Sequence, residues 1–298
     1  MLGLNGKTAT GVHWAGDRGW LVSLCRRRSG LEPVALVEFE LPASVDAASL
    51  ADPEVRSQLV DVLHEVGEEY EVDFSNTCFA LDPSMTLIKK SALVPGSERE
   101  MREHLAWEAE QFLVGEQRAF SIDYVMESEW GLFVAVRRSA LDWYLDVGRM
   151  AGVRRVDVDV PAFALYNAGE CAGLLPNVTA SELLVYAGAR EAHILLVDQG
   201  ELMQTAACSW GPDDDATDVL HDAVYGALRE VGGRVECAWC AGAGVEEWGA
   251  QLADRFECEM AIIDPLAGLE VDEYSPLDPA QRSQYAIAAG LAQRGVLA

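Results

Sequence analysis

One architectural unit occurs twice in this chain, and that repetition constrains the fold more than any other feature. The first copy runs from Gly11 to Leu41. It reads Gly11-Val-His13-Trp-Ala15, a turn at Gly16-Asp-Arg-Gly19, Trp20-Leu-Val-Ser-Leu24, a second turn at Arg28-Ser-Gly30, and Val34-Ala-Leu-Val-Glu-Phe-Glu-Leu41. The second copy begins at Ser181. It reads Leu183-Leu-Val-Tyr-Ala187, a turn at Gly188-Ala-Arg-Glu191, His193-Ile-Leu-Leu-Val197, a turn at Asp198-Gln-Gly200, and Leu202-Met-Gln-Thr-Ala-Ala-Cys208. Apolar alternation between turn residues makes each copy a three-stranded meander. An amphipathic helix and another buried strand follow each. A unit of this kind used twice predicts two like subdomains facing each other across a cleft.

The 298 residues carry 49 acidic against 22 basic side chains, a formal net charge of -27. A nucleic-acid partner is excluded, because a phosphate backbone must be met by a basic face. Such a field favours basic partner segments. No apolar run reaches the ~20 residues that span a bilayer, and Met1 to Thr10 reads as a loose leader without a signal core. The expectation is a cytoplasmic protein. Its seven scattered cysteines fit reduced thiols rather than a disulfide framework.

Between the copies the pattern changes. Asp52-Pro53 starts a helix, with Asp as cap and Pro in the first turn, and Asn76 to Leu81 is a buried strand. Leu87 to Leu93 is strand-like. Ser97 and Glu100 form a capping box before a helix with Met101, Leu105, Ala109, Phe112 and Leu113 on one face. Strands over 120–126 and 131–136 follow, then a helix capped by Ser139, so residues 84–158 read as an inserted subdomain. After the second meander come a helix to Val231, a strand over 235–241, a helix over 245–256, a strand over 260–263 and a last helix from Asp278-Pro279 to about Arg294.

Several segments together resemble the type IV pilus assembly protein PilM. They are Glu103-His-Leu-Ala-Trp107-Glu108-Ala-Glu110-Gln111-Phe112 with Ser121-Ile-Asp123-Tyr124, Val156-Asp-Val-Asp159-Val160-Pro-Ala-Phe-Ala164-Leu165, Cys240-Ala-Gly242-Ala-Gly244, Asp264-Pro265 and Ala286-Ile-Ala-Ala-Gly290. The resemblance covers nearly the whole chain in order. It implies an α/β, actin-like (ribonuclease H-like) duplicated three-layer fold, as in FtsA and the cytoplasmic part of GspL, with an inserted α+β subdomain. It also implies a protein at the cytoplasmic face of the inner membrane that binds the N-terminal tail of a bitopic protein, PilN. A pilus motor ATPase is a further expected partner, and self-association is an expectation of the fold class. The expected domains are 1–83 and 159–180 for the first lobe, 84–158 for the insertion and 181–298 for a reduced second lobe.

The departures from that family matter. Members typically read Gly-Ile-Asp-Ile-Gly-Ser-Ser-Ser-Val-Lys in the first hairpin. Here His13 stands for the Asp that helps hold Mg²⁺, Ala15 for the turn Gly and Trp20 for the Lys. In the second hairpin Asp-Ile-Gly becomes Tyr186-Ala187-Gly188. Only an acidic loop and one helix lie between Cys208 and Val235, where family members place a small subdomain over the nucleotide. The expectation is a pseudo-ATPase scaffold without cofactor, catalytic residue or metal site; ATP with Mg²⁺ in a nucleotide-switched ATPase is the alternative. Gly11, His13, Gly188, Arg190, Gly242 and Gly244 are the residues of the degenerate nucleotide site. Trp107, Glu108, Gln111 and Tyr124 are the expected partner-binding residues, in a groove where the insertion meets the first lobe.

Other motifs have plainer readings. Cys237-Ala-Trp-Cys240 has redox-pair spacing, but it falls within a buried strand rather than at a helix N-terminus. Asp213-Asp-Asp215 reads as a solvated loop that starts the following helix. The five histidines form no i, i+4 pair and adjoin no nucleophile motif.

Overall fold

The computed structural model describes residues 7–93, 96–115, 117–126, 130–175, 179–231, 235–269 and 277–297. Both meanders are present, as β1 (Lys7–Ala15), β2 (Arg18–Arg26) and β3 (Leu31–Glu40), and as β9 (Ser181–Ala187), β10 (Glu191–Asp198) and β11 (Glu201–Ser209). Strand order in the first sheet is β3-β2-β1-β4-β8, with β4 (Asn76–Ala80) and β8 (Arg155–Asp159) added in parallel; the second repeats it as β11-β10-β9-β12-β13, with β12 (Cys237–Gly242) and β13 (Glu259–Ile262). Gln199 and Gly200 take φ values of 52° and 84° between the paired Asp198 and Glu201. That is the geometry a two-residue hairpin needs to match strand twist.

Strand parity then sorts the side chains into layers. Val12, Trp14, Leu21 and Phe79 face outward to α1 (Pro53–Glu69) and α3 (Arg138–Met150), which contribute Leu59, Leu63, Trp143, Tyr144 and Val147. Leu183, Val185, Ile194 and Leu196 face α5 (Ala216–Val231) and α6 (Val245–Phe256). The opposite faces of the two sheets look at each other across α4 (Pro161–Cys171) and α8 (Ala286–Leu297), both buried between the lobes. The α8 sequence explains its place. Its Ala and Gly residues let it lie directly on β1 and α4. A Cβ on Gly290 would stand 1.8 Å from the Ala164 carbonyl oxygen, and one on Gly11 would stand 2.0 Å from that of Ala288.

The third sheet, β5-β7-β6, comprises β5 (Thr86–Ala92), β6 (Phe120–Met126) and β7 (Trp130–Arg137). It is covered by α2 (Glu98–Phe112), whose capping box forms as expected and which buries Leu105 and Ala109. Lys90 reaches across to the second lobe, donating from Nζ to the Leu202 carbonyl at 2.8 Å.

Sheet membership redraws the sequence boundaries. β8 pairs with β4 and α3 packs in the first lobe's core, so the inserted unit spans Thr86–Arg137 rather than 84–158. The α8 helix, placed with 181–298, packs its Ala288, Ala289 and Ala292 against Ala9, Ala15 and Trp20 of the first lobe. Lys7 to Thr10 is strand rather than leader, because Asn76 and the β2 ladder hold it. Ser139 does not cap α3; the cap position is Arg137, without a side-chain bond. The last helix is two, α7 (Pro279–Ser283) and α8. Among the described residues, no helix is long and apolar enough to cross a membrane.

Candidate functional site

The first turn of the second meander approaches the end of β1 between the lobes. A Cβ on Gly188 would lie 3.8 Å from that of Ala15 and 3.7 Å from Glu191 Cγ, so second-lobe turn packs on first-lobe strand end. Beneath them, strand parity aims His13 from β1 and Tyr186, Glu191 and His193 from β9 and β10 into one buried cluster. His13 stacks on Trp20 at 5.6 Å between ring centroids and meets Tyr186 edge-on at 5.3 Å. Its Nε2 lies 3.3 Å from Glu191 Oε1, and His193 Nε2 lies 3.2 Å from the same oxygen. Burial opposes ionisation of Glu191, but hydrogen bonds from His13 and His193 outweigh it and hold the carboxyl down at about 2. Burial depresses His13 below the ordinary histidine value, partly offset by Glu191.

Gly242 and Gly244 of the expected nucleotide site shape the turn after β12. Gly242 takes φ 115°, and a Cβ there would lie 2.0 Å from the Ala187 carbonyl oxygen, so β12 needs glycine to approach β9. Gly244, at φ 64°, is the N-cap of α6. Arg190 is exposed and lines a cavity of about 450 Å³ together with Asp46, Asp82 and Glu191. The space near the turns therefore offers three carboxylates and one guanidinium.

A larger groove, of about 740 Å³, opens where the inserted sheet meets the first lobe. Ser121, Asp123 and Val125 of β6 form one wall; Val158, Phe163 and Arg294 belong to the other. Among the described strands β6 pairs with β7 alone, so no strand occupies its outer edge; on this strand the Tyr124 N–H donates to the Asp123 carboxylate at 2.9 Å. Asp123 and Glu170 give the groove acidic character, Asp159 being paired with Arg294, over an apolar floor that includes Val134 and Val136.

The four expected partner-binding residues do not line this groove. Tyr124 alternates to the opposite face of β6, where Arg102 and Glu110 of α2 lie near it and burial raises its phenol. Trp107, 54% exposed, stacks on His104 at 6.1 Å on the outside of α2. Glu108 accepts a 2.9 Å bond from Ser91, and Gln111 donates to the Trp107 carbonyl. Sequence reading placed a groove at this junction but not these lining residues, and it did not bring His13 together with Glu191 and His193. The parity of Ser121, Asp123 and Val125 was a usable signal for the groove. Glu191 and His193, two apart on a strand, share a face, but His13 lies 178 positions from Glu191, beyond any spacing rule.

No family model matches this chain, and no curated protein does. Solved structures do. The chain is similar to PilM in the PilM–PilN type IV pilus biogenesis complex, with a TM-score of 0.74 and 19% identity over 97% of this chain and 98% of that one. It is similar to the cytoplasmic domain of EpsL, an inner-membrane component of the Vibrio cholerae type II secretion system, with a TM-score of 0.54 and 14% identity over 98% and 95%. It is also similar to the ethanolamine utilization protein EutJ from Carboxydothermus hydrogenoformans, with a TM-score of 0.55 and 11% identity over 96% and 89%. The fold is the actin-like ATPase fold. Within that class the chain is PilM-like in structure.

Proposed function

We propose that this protein is a scaffold of a type IV pilus or related secretion machine. It sits at the cytoplasmic face of the inner membrane through a protein partner, and it captures the N-terminal cytoplasmic tail of a bitopic, PilN-like protein. The observation that carries this is the groove between β6 and the first lobe. An extended tail adds to the free edge of β6 by backbone pairing, and side chains at every second position reach the apolar floor. The acidic rim selects a basic tail and speeds its capture. The outer face of α2, with Trp107 and Gln111, is left for a further component, the motor ATPase or another copy of the chain. Glu108 and Tyr124 support the sheet from behind.

We propose further that the protein does not turn over ATP. The residues present do not fit Mg²⁺-ATP. Phosphate binding at paired hairpins needs inward N–H groups, small side chains and a metal-holding carboxylate facing open space. Here the two positions that carry Asp in the family are His13 and Tyr186, both buried, and neither offers a carboxylate.

Titration calorimetry against synthetic tails of the inner-membrane proteins encoded beside this one, with and without Mg²⁺-ATP, tests both statements. One tail should bind with an affinity that nucleotide leaves unchanged. Failure of every tail would overturn the docking role, and nucleotide-gated binding would install the switched ATPase instead.

A further inference from the structure

The cluster that displaces the phosphate site has the composition of a metal centre. His13, Glu191 and His193 each offer one donor atom, and these atoms lie within 4.8 Å of one another. We propose that the three residues bind a first-row divalent cation of the zinc type, which ties β1 of one lobe to β10 of the other.

The donor set is the two-histidine, one-carboxylate set that suits zinc with a fourth position left to water. Tetrahedral zinc with bonds of ~2.0–2.1 Å places neighbouring donors ~3.3–3.4 Å apart. The two histidine nitrogens stand 3.3 and 3.2 Å from Glu191 Oε1, which matches that spacing on two of the three edges, and the third edge is within 4.8 Å. Charge argues the same way. Two histidines and a carboxylate leave a buried negative charge, and Asp82 adds another along the cavity that Glu191 lines. A divalent cation compensates both. That cavity, lined by Glu191, and a second of about 240 Å³, lined by His193, bring open space up to two of the three residues. His13 Nδ1 is buried without a hydrogen-bond partner, so the imidazole is not committed to another group. A ligating histidine lacking an outer partner loses roughly 10- to 100-fold in affinity. Micromolar rather than nanomolar binding is therefore expected.

The test uses the full chain, stripped with chelator and dialysed against Zn²⁺ or Co²⁺. One equivalent of zinc should be retained, Tm should rise with zinc and return on chelation, and the Co²⁺ form should show the intense visible absorption of a tetrahedral site. Glu191→Gln and His193→Gln should each lose the equivalent. A variant with His64, His104 and His221 all changed to Gln should keep it. Absence of a retained equivalent, retention by Glu191→Gln and His193→Gln, or loss in the triple variant would overturn the proposal. If the buried variants do not fold, the wild-type cobalt spectrum decides: intense absorption supports the site, and the weak absorption of an octahedral ion refutes it.

Discussion

Arg294, near the end of α8, forms an ion pair with Asp159 at the end of β8, and the two close one wall of the groove. Burial raises the Asp159 carboxyl, Arg294 pulls it back, and the balance leaves it above the usual range. Replacing Arg294 by Ala strands a largely buried carboxylate. The expected loss in chemical denaturation is about 1–3 kcal/mol at pH 7, discounted because the arginine side chain is half exposed. A raised acid is a group whose neutral form the fold prefers, so its stabilising contribution is present below the unfolded value of 3.8 and is lost as pH rises through the folded value. The penalty of Arg294→Ala should therefore shrink from pH 7 toward pH 4. A penalty independent of pH would mean that the pair is not what the substitution breaks.

Gly290→Ala should be among the most damaging single-methyl changes at the described glycines. The added carbon meets main chain of α4 at 1.8 Å, which no rotamer can relieve. The two helices between the lobes would have to part, at a cost of roughly 3 kcal/mol or more. Thermal melting compared with Gly226→Ala, where a Cβ meets nothing, checks this.

Cys237 and Cys240 lie three apart on β12 and so point to opposite faces. Burial pushes the Cys237 thiol up to about 11 and raises Cys240 as well. Intact-mass measurement after iodoacetamide at pH 8 should find both thiols largely unmodified in the native protein, with no disulfide between them. Rapid loss of either thiol would restore the redox reading of the motif.

Much of this fold was legible because its signals are local. Asp52-Pro53, the Ser97–Glu100 box and the alternating strands each act within a few residues, and the repeat of the meander gave the doubling. What escaped the sequence is long-range. Nothing in Ala286–Leu297 itself says that a helix at the chain's end lies on β1 at its beginning; only the closeness permitted by Gly11 and Gly290 explains it. Tyr124 was expected at the partner groove by resemblance; strand parity places Asp123 and Val125 on the groove wall and Tyr124 on the opposite face. The His13–Glu191–His193 cluster depends on two sheets facing each other, which no spacing encodes.

The acidic rim makes tail binding salt-sensitive. Raising salt from about 0.05 to 0.5 M should slow association roughly tenfold, because exposed charges are screened within a few ångströms at the higher value. Reversing Asp123 and Glu170 to Lys should weaken a basic tail at least as much, in stopped-flow measurements at low salt. Salt-independent association would remove electrostatic steering from the account.

Hydrogen exchange on the bound complex tests the central claim most directly. If the tail joins the free edge of β6, amides within Phe120–Met126 should gain protection on binding while those of α2, Glu98–Phe112, stay unchanged. Protection confined to α2, or located at the two hairpin turns between the lobes, would contradict capture in the groove.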